Sequence, residues 1–214
     1  MKIETQCMLP SLFMTLVNWD GGFDFKMRAL QLRHFNGFII IARDRDTGRI
    51  YPDAGTGLPR IAYTTSAFDR AHVLNGMIAT AKMCYVTGAQ EIHIMISGIP
   101  PYVRCPADAA GEIDLGIHEP RFVKWLELIR SVGNSVSGAT WVCAHQMGSN
   151  RMSTRQQDGV VDPKGKVWGT EGLYVSDASV FPSASGVNPM VTNMAISDWI
   201  SRGISKELLA SKEA

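Results

Sequence analysis

The stretch that decides the fold reads CAHQMGSNRM from Cys143 to Met152 and VVDPKGKVWGTEGLYVSDASVFPSASGVNPMVTN from Val160 to Asn193. It shows little amphipathic periodicity and places His145 and Asn188 among glycine, serine and small apolar residues. Its glycines predict turns or close backbone approach, which other residues adopt only at a cost. This combination favours a functional site in the stretch.

The composition is that of a folded chain without a strong charge bias. The 214 residues are 45% hydrophobic, which is enough for a real core. With 21 basic and 20 acidic residues, the net charge of +1 gives no electrostatic basis for binding nucleic acid or an anionic membrane. The longest apolar run, from Phe38 to Ala42, is far shorter than the ~20 residues of a spanning helix. No signal peptide is predicted at the start of the chain.

The four cysteines Cys7, Cys84, Cys105 and Cys143 are widely spaced and form no CxxC pair. Their spacing predicts neither a metal site nor a redox pair, and it favours free thiols in a reducing, intracellular compartment. Cys143 lies two residues before His145, so an extended chain would put both side chains on one face, as in a Cys–His nucleophile. Packing is the favoured role for Cys143.

Local signals predict three helices. Ser66 and Asp69 fit a capping box for a helix that runs to about Tyr85. Pro120 suits the first turn of a second helix that ends near Gly133. In the third, Asn188 would be the N-cap and Pro189 the first helical residue, and the tail from Ser205 is expected to fray. The residues predicted to form the buried side of this last helix are Met194, Ala195, Trp199 and Ile200.

Strands are predicted between these helices. Gly37 to Arg43 and Arg49 to Tyr51 should form a hairpin around Asp44 to Gly48. The further predicted strands are Arg60–Thr64, Glu91–Ile96 and Gly172–Asp177. Strands mixed with segregated helices, rather than regular alternation, indicate an α+β fold.

Several segments together resemble a known family, the glucose-methanol-choline (GMC) oxidoreductases, and the wording around His145 is closest to the long-chain fatty alcohol oxidases. The segments similar to the C-terminal end of that family are His145–Met152, Val161–Pro163, Val167–Ser179 and Gly186–Thr192. The segments similar to its substrate domain are Arg43–Gly48, Pro59–Tyr63 and Gly88–Ile92.

The resemblance implies an antiparallel substrate-domain sheet with helices, plus a C-terminal strand and helix that complete an FAD-binding domain. Residues 1–140 would be part of the substrate-binding domain, and residues 141–214 the segment with the active-site motif. The family's flavin domain opens with GxGxxG, and this chain has only GxG at Ala54–Gly57, followed by Leu58-Pro59-Arg60, which predicts a turn. We therefore expect Met1 to lie inside a longer enzyme whose N-terminal half holds most of the FAD.

The resemblance also implies roles for particular residues. His145 would accept the hydroxyl proton of an alcohol, with Asn188 as its hydrogen-bonding partner. Asp177, Ala178, Asn188, Pro189 and Thr192 would line the flavin. The alternatives are a hydrogen-bonded loop or core histidine for His145, helix capping for Asn188 and a strand-ending Asx turn for Asp177. For Arg151 the pattern leaves open a bound phosphate or carboxylate and a structural ion pair.

The expected activity is therefore the FAD-dependent oxidation of a long-chain primary alcohol to the aldehyde. One rival is a non-catalytic fragment or partner-binding module without the cofactor domain. Another is a sterol or sugar oxidase of the same family. The electron acceptor and membrane association of the full-length protein stay open.

Overall fold

The computed structural model describes residues 1–105 and 116–213, and the chain divides into two compact units. The first unit contains residues 1–46 and 64–141, and the second contains residues 47–63 and 142–214. The roles predicted for residues 1–140 and 141–214 as a substrate domain and a flavin-domain segment stay predictions.

Short strands and helices alternate irregularly along the described residues, and all the sheets are antiparallel pairs of strands. The elements in chain order are β1 (Lys2–Thr5), α1 (Pro10–Phe13), α2 (Gly22–Leu30), β2 (Phe38–Ile41), β3 (Arg49–Pro52), β4 (Pro59–Ala62), α3 (Ala67–Val86), β5 (Glu91–Ile92), β6 (Tyr102–Val103), α4 (Pro120–Val132) and α5 (Met190–Glu213). This mixture is consistent with the predicted α+β class, although three separate two-stranded sheets stand in place of one larger sheet.

The first unit is organised around α3, whose predicted start and end are confirmed. The Ser66 hydroxyl accepts from the Asp69 backbone N–H at 3.0 Å and donates to the Asp69 carboxylate at 2.6 Å. Helix α3 crosses β2 closely at Gly76, where an added Cβ would lie 2.8 Å from Ile40 Cγ2. Glycine is therefore needed there for close packing.

The core of the first unit joins α3, α4 and the strands between them. One side of α4 is buried. The three isoleucines at 92, 94 and 96 are also buried, although only Glu91–Ile92 of the predicted strand Glu91–Ile96 is regular. The carboxylate of Glu119 caps α4 by accepting from the N–H groups of Arg121 and Phe122, and it also accepts from the Tyr102 hydroxyl. The buried residues of this core are Ile78, Ala81, Tyr85, Ile92, Ile94, Ile96, Ile99, Tyr102, Phe122, Trp125, Leu126 and Ile129.

The predicted hairpin between Gly37–Arg43 and Arg49–Tyr51 is wrong. Strand β2 pairs with β1, with Phe38 opposite Thr5, and β3 pairs with β4, with Pro52 opposite Pro59. The loop of this second pair contains Ala54–Gly57, and the Asp53 carboxylate accepts from the N–H groups of Gly55 and Thr56. The sequence around Ala54 is therefore a turn, as predicted, and not a dinucleotide fingerprint.

Three predictions for the second unit also need correction. Gly172–Asp177 is not a regular strand, because only an isolated bridge joins Tyr174 to Lys166. Helix α5 does not fray from Ser205 but continues to Glu213. Its buried side consists of Ile200 with the partly buried Ile196 and Ile204. Of the residues predicted for that side, Met194, Ala195 and Trp199 are exposed, and Ile200 alone is buried.

Candidate active site

The loop that follows His145 is fixed by backbone hydrogen bonds to a short turn. Gly148 N donates to Ala178 O at 3.2 Å, Asn150 N to Ser179 O at 2.9 Å, and Met152 N to Val180 O at 2.8 Å. Ala178–Val180 forms a single 3₁₀ turn. The segment carrying His145 and the segment carrying Asp177 and Ala178 are therefore neighbours in the second unit.

Gly148 makes this contact possible. Its φ of 80° lies in the left-handed region, and a Cβ there would lie 3.1 Å from the Phe181 carbonyl oxygen. A side chain at this position would combine backbone strain with crowding.

A small apolar core connects this loop pair to α5. Its buried members are Val161, Val180, Phe181 and Ile200. Met147, two residues after His145, packs against it, as do Ala178 and Ile196. The segments that contain His145, Ala178 and α5 are thus held by one common core.

Polar contacts hold α5 along its length. Ser197 Oγ donates to Ser176 O at 2.7 Å, and the Tyr174 hydroxyl donates to Glu207 Oε2 at 2.5 Å. This hydrogen bond raises the pKa of Tyr174 and lowers that of Glu207. Helix α5 is therefore positioned by residues that follow the His145 loop.

His145 is half-buried on irregular backbone. Its imidazole has no hydrogen-bond or ion-pair partner among residues 1–105 and 116–213. This does not support the alternative of a hydrogen-bonded structural histidine. The packing role predicted for Cys143 is wrong, because Cys143 is exposed. None of the four cysteines is in a disulfide bond.

Asp177 forms the Asx turn that was its alternative assignment. Its Oδ1 accepts from Ser179 N at 2.8 Å, while the side chain is exposed. Only part of the carboxylate is used in this way, so further acceptor capacity remains. Arg151 Nε donates to the backbone carbonyl of Asp158 at 3.2 Å. This contact is structural, but it is not the ion pair with a carboxylate that was one of the alternatives for Arg151.

Helix α5 begins one residue later than predicted. Asn193 N donates to Pro189 O at 2.7 Å, and the helix runs from Met190, so Pro189 occupies the N-cap position instead of Asn188. Asn188 and Thr192 are exposed. His145 and Asn188 form no hydrogen bond with each other in this structure, and their shared role towards a substrate remains a prediction.

Sequence reasoning missed the pairing of Asn150 with Ser179. Asn150 Nδ2 donates to Ser179 Oγ at 3.1 Å, alongside the backbone bond between the same residues. No local sequence signal indicates this pairing, because the two residues are 29 positions apart in the chain. The pairing adds a side-chain tether to the His145 loop.

The polar groups of Asp177 and of the first turn of α5 have a chemistry that fits a flavin. A ribityl chain offers hydroxyl donors, which suit the exposed Asp177 carboxylate. The ring carbonyls need donors, and the first turn of α5 presents N–H groups of Met190, Val191 and Thr192 that have no partner within the helix. The N-terminus of this 24-residue helix also carries partial positive charge.

A family model described as GMC oxidoreductase matches residues 44–197. The chain belongs to the GMC oxidoreductase family. It is 32% identical over 211 residues to long-chain-alcohol oxidase FAO3 of Arabidopsis thaliana, covering 96% of this chain and 26% of that protein. Against long-chain-alcohol oxidase FAO4A of the same plant it is 35% identical over 214 residues, covering 99% of this chain and 27% of that protein.

A further relative is a dehydrogenase of Armillaria gallica, 30% identical over 120 residues that cover 49% of this chain and 19% of that protein. The chain thus spans about a quarter of the length of the long-chain-alcohol oxidases that it matches. Family membership accounts for the motif around His145 and supports an oxidoreductase with an α+β C-terminal domain.

Among the described residues, no helix is long and apolar enough to cross a membrane. Within residues 1–105 and 116–213, no group of three or more histidine, cysteine, aspartate or glutamate residues is arranged to hold a metal ion.

Proposed function

We propose that this chain is the C-terminal part of an FAD-dependent alcohol oxidase that converts a long-chain primary alcohol to the aldehyde. The observation that carries the proposal is the half-buried His145 imidazole, which has no partner in the described part of the chain and lies on a loop that shares one core with Ala178 and α5. The substrate class is taken from the names of the Arabidopsis relatives.

His145 is the proton acceptor in this proposal. An ordinary imidazole has a pKa near ~6.5 and is mostly neutral at pH 7. An alcohol is about as weak an acid as water, whose pKa is ~15.7. The gap of about 9 units between these two pKa values corresponds to roughly 12 kcal/mol, so an ordinary imidazole cannot form a free alkoxide first. Proton transfer to His145 must accompany loss of hydride from the carbon.

Asn188 stabilises the substrate oxygen as its proton leaves. Its carboxamide has two N–H donors, and the nearby N-terminus of α5 favours negative charge. Removing one donor of this kind from an active site typically costs about 10²–10³ in rate.

FAD, when bound, supplies the acceptor for the hydride. Asp177, Ala178, Pro189 and Thr192 would hold it from this chain, with Asn188 facing the reacting side. Most of the cofactor would be held by an FAD domain. That domain would correspond to the part of the relatives that lies outside the quarter matched by this chain. Residues 141–214 of this chain would complete that FAD domain.

The test measures flavin absorbance and alcohol oxidation in two samples. One is this chain alone, and the other is this chain co-purified with the part of FAO4A that lies outside the match. We expect flavin and oxidation of a long-chain alcohol in the combined sample. Absence of both, with a complex still formed, contradicts the proposal.

The rival is a non-catalytic fragment, and one observation favours it for the isolated chain. Large apolar side chains at the start of α5 are exposed, with Val191 at 69% and Met190 at 68%. A surface of this kind is expected to bind a hydrophobic dye or to associate. If dye binding persists after the flavin-domain polypeptide is added, and no flavin is retained, the fragment is the better account.

A further inference from the structure

A cleft of about 350 Å³ lies within the first unit, between the segment that contains α2 and the chain that follows β5. Its volume is typical of small-molecule sites and equals that of about twelve water molecules in the liquid. The α2 segment contributes polar lining residues, which are Asn18, Asp20 and Arg28. The chain after β5 contributes apolar ones, which include Met95 and Ile99. One polar side and one apolar side suit an amphiphilic ligand.

The apolar side of the cleft is held in place by the rest of the first unit. Thr140 N donates to Met95 O at 3.0 Å, and Trp125 Nε1 donates to Pro100 O at 2.8 Å. Ile99 is 8% exposed because it also belongs to the core that joins α3 and α4. This side is therefore formed before a ligand binds, which lowers the cost of binding.

The polar side offers an ion pair whose charges compensate each other. The Arg28 guanidinium donates to the Asn18 carbonyl at 2.9 Å and to the carboxylate of Asp20. Both charged groups keep hydrogen-bonding capacity beyond these contacts, because a guanidinium has several N–H donors and each carboxylate oxygen accepts more than one bond. The Asp20 side chain is also 53% exposed. The pair can thus donate to a ligand group and accept from it.

These charges favour an uncharged head group. A carboxylate placed near Arg28 would also meet the like charge of Asp20, and an ammonium placed near Asp20 would meet that of Arg28. A hydroxyl can donate to the carboxylate and accept from the guanidinium at the same time. Hydrogen bonds to charged groups are also stronger than those between neutral groups. The head group that fits best is therefore a hydroxyl.

His93 supports the cleft where its two sides meet. Its side chain is 16% exposed, and the ring of Phe35 packs edge-on against it with 5.6 Å between centroids. Glu91 Oε1 lies 2.8 Å from His93 Nε2, so a second negative charge stands behind the imidazole and further disfavours a carboxylate ligand. Arg28 and Asp20 are left as the pair that contacts the head group.

We propose that this cleft binds the hydroxyl end of an alkyl alcohol, with Arg28 and Asp20 on the hydroxyl and with Met95 and Ile99 along the alkyl chain. The volume suits about eight to ten chain atoms, so a longer chain would extend beyond the cleft. The alcohol class agrees with the proposed function. The cleft lies in the first unit and its binding needs no flavin, so it can be tested separately from oxidation at His145.

The test titrates 1-octanol into this chain and follows binding by NMR. We expect saturable binding, with nuclear Overhauser contacts between the octyl chain and the methyl groups of Met95 and Ile99. The ether 1-methoxyheptane has the same number of non-hydrogen atoms but no hydroxyl proton. It should bind at least about tenfold more weakly, because it loses a hydrogen bond to a charged group. Octanoate and octylammonium should also bind more weakly than octanol.

Arg28→Met tests the polar side of the cleft. It removes the donors to the hydroxyl and should weaken octanol binding at least about tenfold. The matched control is Lys26→Met, which removes a positive charge from an exposed position of the same helix and should leave the affinity unchanged.

Met95→Trp tests the apolar side, since Arg28 also holds its own segment together. The larger side chain should fill the cleft and abolish octanol binding. Met83→Trp, at a position on α3 that is 39% exposed and outside the cleft, is its control and should bind as the wild type.

Octanol that binds without contacts to Met95 and Ile99 would overturn the proposal. Equal or tighter binding of the ether, octanoate or octylammonium would overturn the assignment of a hydroxyl ligand. If Arg28→Met does not fold, Met95→Trp decides, because an unchanged octanol affinity in that variant contradicts the site.

Discussion

Replacing Gly148 by alanine should weaken the site by lifting the His145 loop from its turn. Gly148 has φ 80°, where a non-glycine residue costs about 1–2 kcal/mol. The new Cβ would also lie 3.1 Å from Phe181 O, and three backbone hydrogen bonds adjoin the contact. Each is worth about 1 kcal/mol, so losing at least one adds about 1 kcal/mol or more to the strain.

Gly172→Ala separates strain from crowding. Gly172 has φ 70°, but an added Cβ there meets nothing within 4 Å. Both variants gain the same small benefit from a stiffer unfolded chain. The difference between their free energies of unfolding therefore measures the close approach at Gly148.

Hydrogen exchange of the Gly148, Asn150 and Met152 amides is the assay, because it reports the local free energy of opening. We expect these amides to be less protected in Gly148→Ala than in Gly172→Ala by at least about 1 kcal/mol. Equal protection in the two variants would refute the idea that the loop lies against Phe181.

Three further predictions concern the site and the cores. Asn188→Ala in the flavin-loaded assembly should lower turnover by about 10²–10³ while flavin absorbance is kept, and an unchanged turnover would exclude Asn188 as an oxygen donor. Ile200→Ala should lower the free energy of unfolding in urea by about 2–5 kcal/mol, because Ile200 is 0% exposed. The control Trp199→Ala should have a much smaller effect, because Trp199 is 65% exposed. Glu119→Ala removes the cap of α4 and the partner of the Tyr102 hydroxyl, so it should cost about 1–3 kcal/mol, and a neutral result would contradict the capping contact.

Helices with local signals were predictable from the sequence. Ser66 and Asp69 define the start of α3 within one turn, and Pro120 does the same for α4. The buried side of α4 followed from periodicity, because its buried residues Phe122, Trp125, Leu126 and Ile129 recur at helical spacing. In such elements, residues close in sequence determine the structure.

Strand pairing and the buried side of α5 were not predictable. The turn at Asp44–Gly48 suggested a hairpin, but β2 pairs with the distant β1, and pairing between distant strands leaves no local signal. Helix α5 has apolar residues on more than one side, and Ile200 rather than Trp199 faces the core that holds Met147. That choice depends on Gly165, where an added Cβ would lie 2.7 Å from Ile200 Cδ1.

Of the site, the sequence predicted the motif and its family but little of the geometry. The family match confirms the resemblance on which His145 and Asn188 were chosen. Their chemical roles depend on groups brought from distant parts of the chain and from the cofactor, which periodicity and local spacing do not encode. The Asn150–Ser179 contact shows the same limit.

The most direct test of the central claim is flavin reduction by a long-chain alcohol in a single turnover, with wild-type chain and with His145→Gln, each assembled with the flavin-domain polypeptide. Loss of a general base typically slows such a step by about 10²–10⁴. We predict slowing of this size with flavin absorbance retained. Reduction at the wild-type rate in the variant would contradict the role of His145 as the proton acceptor, and loss of the flavin would assign it to cofactor binding.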